Sequence, residues 1–129
     1  MTIGLDTSVV LRLLIGLPED QANVARRRLA EALDSDERVV LTDLALAEAY
    51  YALQHHYEVP KDQARRRLAD LARSGLVTVE PPEAVASLGH DSGAGLVDRL
   101  IHARHRATGA TTWTFERRMS KLDGAVRLG

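Results

Sequence analysis

The sequence predicts an α/β three-layer sandwich, with a central parallel sheet of four or five strands covered by helices on both faces. The strand candidates are short continuous apolar runs rather than alternating ones, as strands buried on both faces require. Those runs alternate along the chain with longer stretches whose apolar residues recur every three or four positions, the spacing of amphipathic helices. With 129 residues, 45% of them hydrophobic and 27% charged, the chain is large enough for one core. Residues 1–129 are therefore expected to form one domain.

Residues 2–5 read as the first strand, ending in Asp6-Thr7-Ser8 as a cap, and Val9, Val10, Leu11, Leu13, Leu14 and Ile15 continue as a helix. Gly16 and Pro18 interrupt the chain before a second helix with Ala22, Ala25, Leu29, Ala32 and Leu33 on one face. Val39-Val40-Leu41 is a second buried strand, and Thr42 and Asp43 cap a helix over residues 44–57 that is apolar nearly all round. After Pro60 another helix turns Ala64, Leu68, Leu71 and Ala72 inward, and residues 76–79 form a third strand.

Pro81-Pro82 opens a turn and a short helix through Ala86, followed by a polar loop over residues 89–95 of the kind that borders active sites. Residues 96–107 are helical, with Val97, Leu100, Ile101 and Arg104 at helical spacing and Gly109 as the stop. A fourth strand follows at 111–114, then a helical turn over 115–122, and a fifth strand at 125–128. The hexapeptide Ala-Arg-Arg-Arg-Leu-Ala occurs at 25–30 and at 64–69 without a third copy, which fits two helices with the same facing requirement better than a repeat architecture.

Cysteine is absent, which excludes disulfides, thiolate metal sites and thiol catalysis. Any metal must be held by oxygen or imidazole. The N-terminus has no basic stretch and no long apolar run, so neither a signal peptide nor a membrane span is expected, and a cytoplasmic location follows. The net charge of −1 is not that of a typical nucleic-acid binder. Its distribution is uneven: from Arg99 onward, Arg104, Arg106, Arg117, Arg118, Lys121 and Arg127 are opposed only by Glu116 and Asp123. Such a basic third either tracks a phosphate backbone or forms a solvated helix face.

Four carboxylates carry the functional signal. Asp6 follows the first strand, Glu48 interrupts the most apolar helix, Asp98 lies early in the helix over 96–107, and Glu116 follows the fourth strand. Functional groups of open α/β sheets gather beyond the carboxyl ends of strands, where Asp6 and Glu116 stand. Asp6, Asp98 and Glu116 each also suit a helix cap or dipole. Glu48, flanked by Leu44, Ala45, Leu46, Ala47, Ala49, Tyr50, Ala52 and Leu53, is expected to be buried, and a buried carboxylate is normally paired or metal-bound.

The run Leu5-Asp6-Thr7-Ser8-Val9-Val10-Leu11-Arg12-Leu13-Leu14 resembles the opening motif of PIN-domain ribonucleases, in particular VapC-type toxins of VapBC toxin–antitoxin systems. The stretch from Leu41 to Leu53, with Glu48 alone in an apolar helix, is similar to that family's second motif. Leu96-Val97-Asp98-Arg99-Leu100-Ile101 and Thr114-Phe115-Glu116 resemble its third and fourth, so the likeness runs end to end. The family has asparagine or serine at the position of Ser8, and usually aspartate where this chain has Glu116, whose extra methylene must fold back to reach the same ion.

That resemblance implies a PIN-like sandwich and a metal-dependent endoribonuclease acting on single-stranded or structured RNA. Clustered carboxylates call for a compensating cation, and an all-oxygen site suits Mg²⁺ or Mn²⁺. Asp6 and Asp98 are expected as direct ligands, Glu48 directly or through water, and Glu116 at a second metal or the nucleophile. Thr7, Ser8 and Thr114 would orient these groups. The family further implies a homodimer and a VapB-type antitoxin whose tail blocks the acidic pocket.

Other readings remain open. An aspartate after the first strand also begins phosphotransferases that form an aspartyl-phosphate, but those need a second acid two residues on, where this chain has Ser8. A PIN-like module that binds RNA or an antitoxin without cleaving is the alternative that Glu116 suggests. Asp98 and His102, one turn apart, form a pair that could share a metal but lack the second pair of a zinc motif. His55-His56 end a helix. Trp113, on a buried strand, is expected in the core rather than stacked on a base.

Overall fold

The computed structural model describes residues 1–129. Its elements follow in the order β1 (Thr2–Gly4), α1 (Thr7–Ile15), α2 (Glu19–Asp34), β2 (Arg38–Thr42), α3 (Asp43–His55), α4 (Lys61–Arg73), β3 (Thr78–Glu80), α5 (Ala84–Ser87), α6 (Leu96–Ala107), β4 (Thr112–Thr114), α7 (Arg117–Ser120) and β5 (Ala125–Arg127). The α/β class with parallel strands is as expected, but the strands are divided differently. β1, β2 and β3 form one parallel sheet in that order, and β4 and β5 form a separate parallel pair. The single sheet of four or five strands is thereby corrected to three plus two. Strands of three residues such as β1 and β4 offer each other few ladder groups, so little hydrogen bonding is available to join the two sheets.

The core lies where β2 meets the helices. Val39 and Leu41 of β2 pack with Val10, Leu46, Leu53, Leu68 and Val79 in one cluster of buried side chains. α3 reaches this core largely through small residues, Ala45, Ala49 and Ala52, which let its backbone approach closely. Its larger Leu44 and Tyr51 face outward, so the helix that reads as apolar all round does have a solvent side. α6 likewise buries Leu96, Leu100 and Ala103 while Val97 and Ile101 stay partly exposed.

The two copies of the repeated hexapeptide fall in α2 and α4. Their facing differs: Arg65 in the second copy is buried, with its guanidinium donating to the Leu88 carbonyl at 2.8 Å, whereas the equivalent Arg26 is exposed. Helix ends follow their predicted signals. Thr42 caps α3 through its hydroxyl, which accepts from Ala45 N at 3.3 Å, and α3 ends at His55 with His56 as its C-cap. Gly16 closes α1 at φ 81°, a left-handed conformation that glycine adopts without strain.

Candidate active site

Each of the four acids is placed by a strand end or a helix. Asp6 leaves β1 in extended backbone geometry and caps α1, its carboxylate accepting from the Ser8 hydroxyl at 2.7 Å and the Ser8 backbone N at 3.3 Å. These two bonds from Ser8 hold the Asp6 carboxyl below its ordinary pKa, so it is ionised at neutral pH. Asp98 sits half-buried in the first turn of α6, where the amide end of the helix favours negative charge. Glu116 occupies the N-cap position of α7, exposed, with its backbone N donating to the Thr114 hydroxyl at 2.9 Å.

Glu48 departs from expectation. It is exposed rather than buried, because it shares the outer side of α3 with Leu44 and Tyr51 while the alanines face the core. The argument that burial demands a partner for Glu48 therefore does not hold. Its surroundings are nonetheless specific: Glu48 lines an open cleft of about 430 Å³ together with Thr7, Ala47, Tyr51, Ala52, His56 and Val97. Thr7 is the first residue of α1 and Val97 the second of α6, so Asp6 and Asp98 each adjoin a wall of this cleft in sequence. Of the four acids only Glu48 lines it; Asp6, Asp98 and Glu116 do not.

None of the four acids forms an ion pair. No three Asp, Glu or His side chains are gathered closely enough to cage a metal ion. Carboxylate oxygens on an open surface are the donor type of a hard divalent ion that keeps several waters and takes one or two carboxylates, rather than of a closed protein cage.

Asp43 behaves in the opposite way. At the first turn of α3 it is 7% exposed and receives a bidentate pair from Arg104 of α6, Nε to Oδ2 at 2.8 Å and a terminal nitrogen to Oδ1 at 2.5 Å. The Arg104 hydrogen bonds hold the Asp43 carboxyl below its ordinary pKa and raise that of the guanidinium. This pair fastens the start of α3 to α6, the two helices that carry Glu48 and Asp98. Sequence reading took Asp43 only as a cap. The available signal was Arg104 itself, a cation lying in line with Val97, Leu100 and Ile101, which calls for a carboxylate opposite.

The His102 ring is buried and fully engaged, Nδ1 with the Thr112 hydroxyl at 2.6 Å and Nε2 with the Asp123 carbonyl at 2.7 Å, so it ties α6 to the C-terminal sheet, in keeping with the lack of a zinc motif around the Asp98–His102 pair. One further expectation is corrected. Trp113 is 72% exposed: on β4 it is Thr112 and Thr114 that point inward, so the tryptophan takes the outer face. The loop before α6 is tied by Arg99, which donates to the carbonyls of Ser92 and Ala94, each at 2.9 Å.

The model of the PIN domain family matches residues 3–125, a span that includes Asp6, Glu48, Asp98 and Glu116. The chain belongs to the PIN-domain family. PIN domains are generally nucleases, usually metal-dependent, and they often bind RNA and pair with antitoxins. No curated protein and no solved structure matches the chain. No helix of this PIN domain is long and apolar enough to cross a membrane.

Proposed function

We propose that this PIN domain, residues 1–129 acting as one unit, is a Mg²⁺- or Mn²⁺-dependent endoribonuclease and the toxin of a VapBC-type toxin–antitoxin pair in the cytoplasm. One observation carries the reading. The cleft where α1, α3 and α6 meet is lined by Glu48, which no cation of the chain neutralises, and by Thr7 and Val97, the chain neighbours of Asp6 and Asp98, while Asp43 on the same α3 is closed by Arg104. A divalent ion drawn to Glu48 from this side would supply the missing charge.

In this reading Asp6 and Asp98 bind the ion directly, Glu48 binds directly or through water, and Glu116 positions a second ion or the nucleophile. Ser8 keeps Asp6 ionised and fixes its orientation, and the amide end of α6 favours the charge on Asp98. Thr7 on the cleft wall and Thr114 beneath the Glu116 backbone orient their neighbours. The bound ion would acidify a water and offset charge on the scissile phosphate.

Glu116 favours a second reading. It stands where the family usually has aspartate, which suits a weakened module that binds RNA or an antitoxin without cutting. Incubation of the purified chain with RNA and Mn²⁺, with and without chelator, separates the two. Metal-dependent fragments that disappear in Asp6→Ala support the nuclease, and cleavage surviving that substitution refutes the site. A homodimer and a VapB-type antitoxin are the expected partners. Co-expression of the neighbouring short reading frame should abolish toxicity, and failure to bind any neighbour would count against the toxin role.

A further inference from the structure

The C-terminal sheet presents an apolar face to solvent that the fold leaves uncovered. Side chains two apart on a strand share a face, and Trp113 and Phe115 are each 72% exposed while Thr112 and Thr114 between and beside them are buried. Trp113 pairs in register with Val126, and Leu128 N donates to the Thr114 carbonyl at 2.9 Å. Val126 and Leu128, each 47% exposed, therefore stand beside the two aromatic rings on the same side of the sheet. Four large apolar side chains in one patch, two of them aromatic, mark a contact surface rather than scattered exposure.

The charges around the patch indicate what covers it. Arg117 and Arg118 follow directly on α7, both exposed and neither in an ion pair. A second copy docked face to face would bring these guanidinium groups against their own kind, which opposes association. A single strand of nucleic acid meets both features, because its bases stack on aromatic rings and its phosphates take the arginines. Glu116 lies in the chain between Phe115 and Arg117, so the patch adjoins that carboxylate.

We propose that Trp113 and Phe115 form a stacking platform for unpaired RNA, with Arg117 and Arg118 on its phosphates, and that this platform holds the strand beside Glu116. The inference rests on the nuclease reading for the identity of the strand, but binding can be measured without cleavage. Trp113 is the chain's one tryptophan, so intrinsic fluorescence reports on the platform alone.

The test titrates the full chain with a fluorescently labelled oligouridylate of about 12 nucleotides in excess chelator, read by anisotropy in every variant and by Trp113 quenching in the chains that keep that residue. Saturable quenching that weakens with salt is expected, with Kd raised about tenfold in Trp113→Ala and largely restored in Trp113→Phe. Arg117→Ala should lower the salt dependence by about one ion. Because these side chains are exposed, the melting temperature should not move. Absence of binding, or binding with unchanged fluorescence and an unchanged Kd in Trp113→Ala, overturns the platform. So does a dimer that Trp113→Ala converts to monomer without altering RNA affinity, since the face then belongs to a second copy. Asp6→Asn should quench like the parent chain. Quenching without any Mn²⁺-dependent cleavage would leave the platform standing and remove the nuclease reading, whereas cleavage with KM unchanged in Trp113→Ala would do the reverse.

Discussion

Asp43 and Glu48 stand on one helix, and the fold treats them oppositely. Asp43 is buried and bonded twice to Arg104, so its charge is consumed in fixing α3 against α6. Glu48 faces an open cleft and has no cationic partner, although the chain contains 17 lysines and arginines from which one could have been placed there. Glu31, Glu80 and Asp123 also have arginine partners, all with exposed side chains, while the other acids of the chain, Asp6, Glu48, Asp98 and Glu116 among them, have none. A missing partner therefore does not by itself mark the four; Asp43 is set apart by being both buried and paired, and Glu48 by the cleft it lines.

The largest effect expected from breaking this division is at Asp6. Asparagine caps a helix as well as aspartate does, so Asp6→Asn should leave the melting temperature unchanged and reduce metal-dependent RNA cleavage by a factor on the order of 100 or more. A comparable loss of both stability and activity would move Asp6 into the structural class.

His102 tests the boundary from the other side. It follows Asp98 by one turn but belongs to the packed interior, so His102→Ala should cost about 2 kcal/mol in urea denaturation by removing a buried ring and its bond to the Asp123 carbonyl, while the Thr112 hydroxyl keeps His105 as a partner. Cleavage by the folded fraction should stay within a few-fold of the parent.

Asp43→Asn should destabilise by about 1–2 kcal/mol near neutral pH, less than a fully buried pair because the Arg104 side chain is 54% exposed. The folded pKa of Asp43 is lowered, so its contribution is complete above the unfolded value near 4 and disappears as pH falls through the folded value. The gap between parent and variant, measured by urea denaturation, should therefore narrow in acid. A gap that widened there would contradict the pairing with Arg104.

The smallest change is expected at Glu116. Shortening it to the residue the family usually carries, Glu116→Asp, should raise cleavage several-fold, by less than about one order of magnitude. No change would place Glu116 outside the reacting groups, and a fall would contradict the idea that aspartate fits this position better.

Much of this was legible from residues alone, and the failures share a cause. The β1-to-α1 turn at Asp6, the Thr42 cap and the His55-His56 end are local, set by side chains a few positions apart, and the structure has them as read. Facing is not local. The apolar run around Glu48 and the short strand bearing Trp113 gave no sign of which side meets the core, because α3 packs through Ala45, Ala49 and Ala52 and β4 through two threonines. Pairing is less local still: the bond between Asp43 and Arg104 spans 61 residues, and the division of five strands into three and two depends on which short strands meet in space.

The central claim is that carboxylates left without cations around the α1–α3–α6 cleft take up a divalent ion. Calorimetric titration of Mn²⁺ into the purified chain, into Asp6→Asn and into Asp43→Asn tests it without any RNA. Binding in the parent that persists in Asp43→Asn and is lost in Asp6→Asn is the predicted result. Absence of binding in the parent, or equal binding in Asp6→Asn, would contradict it.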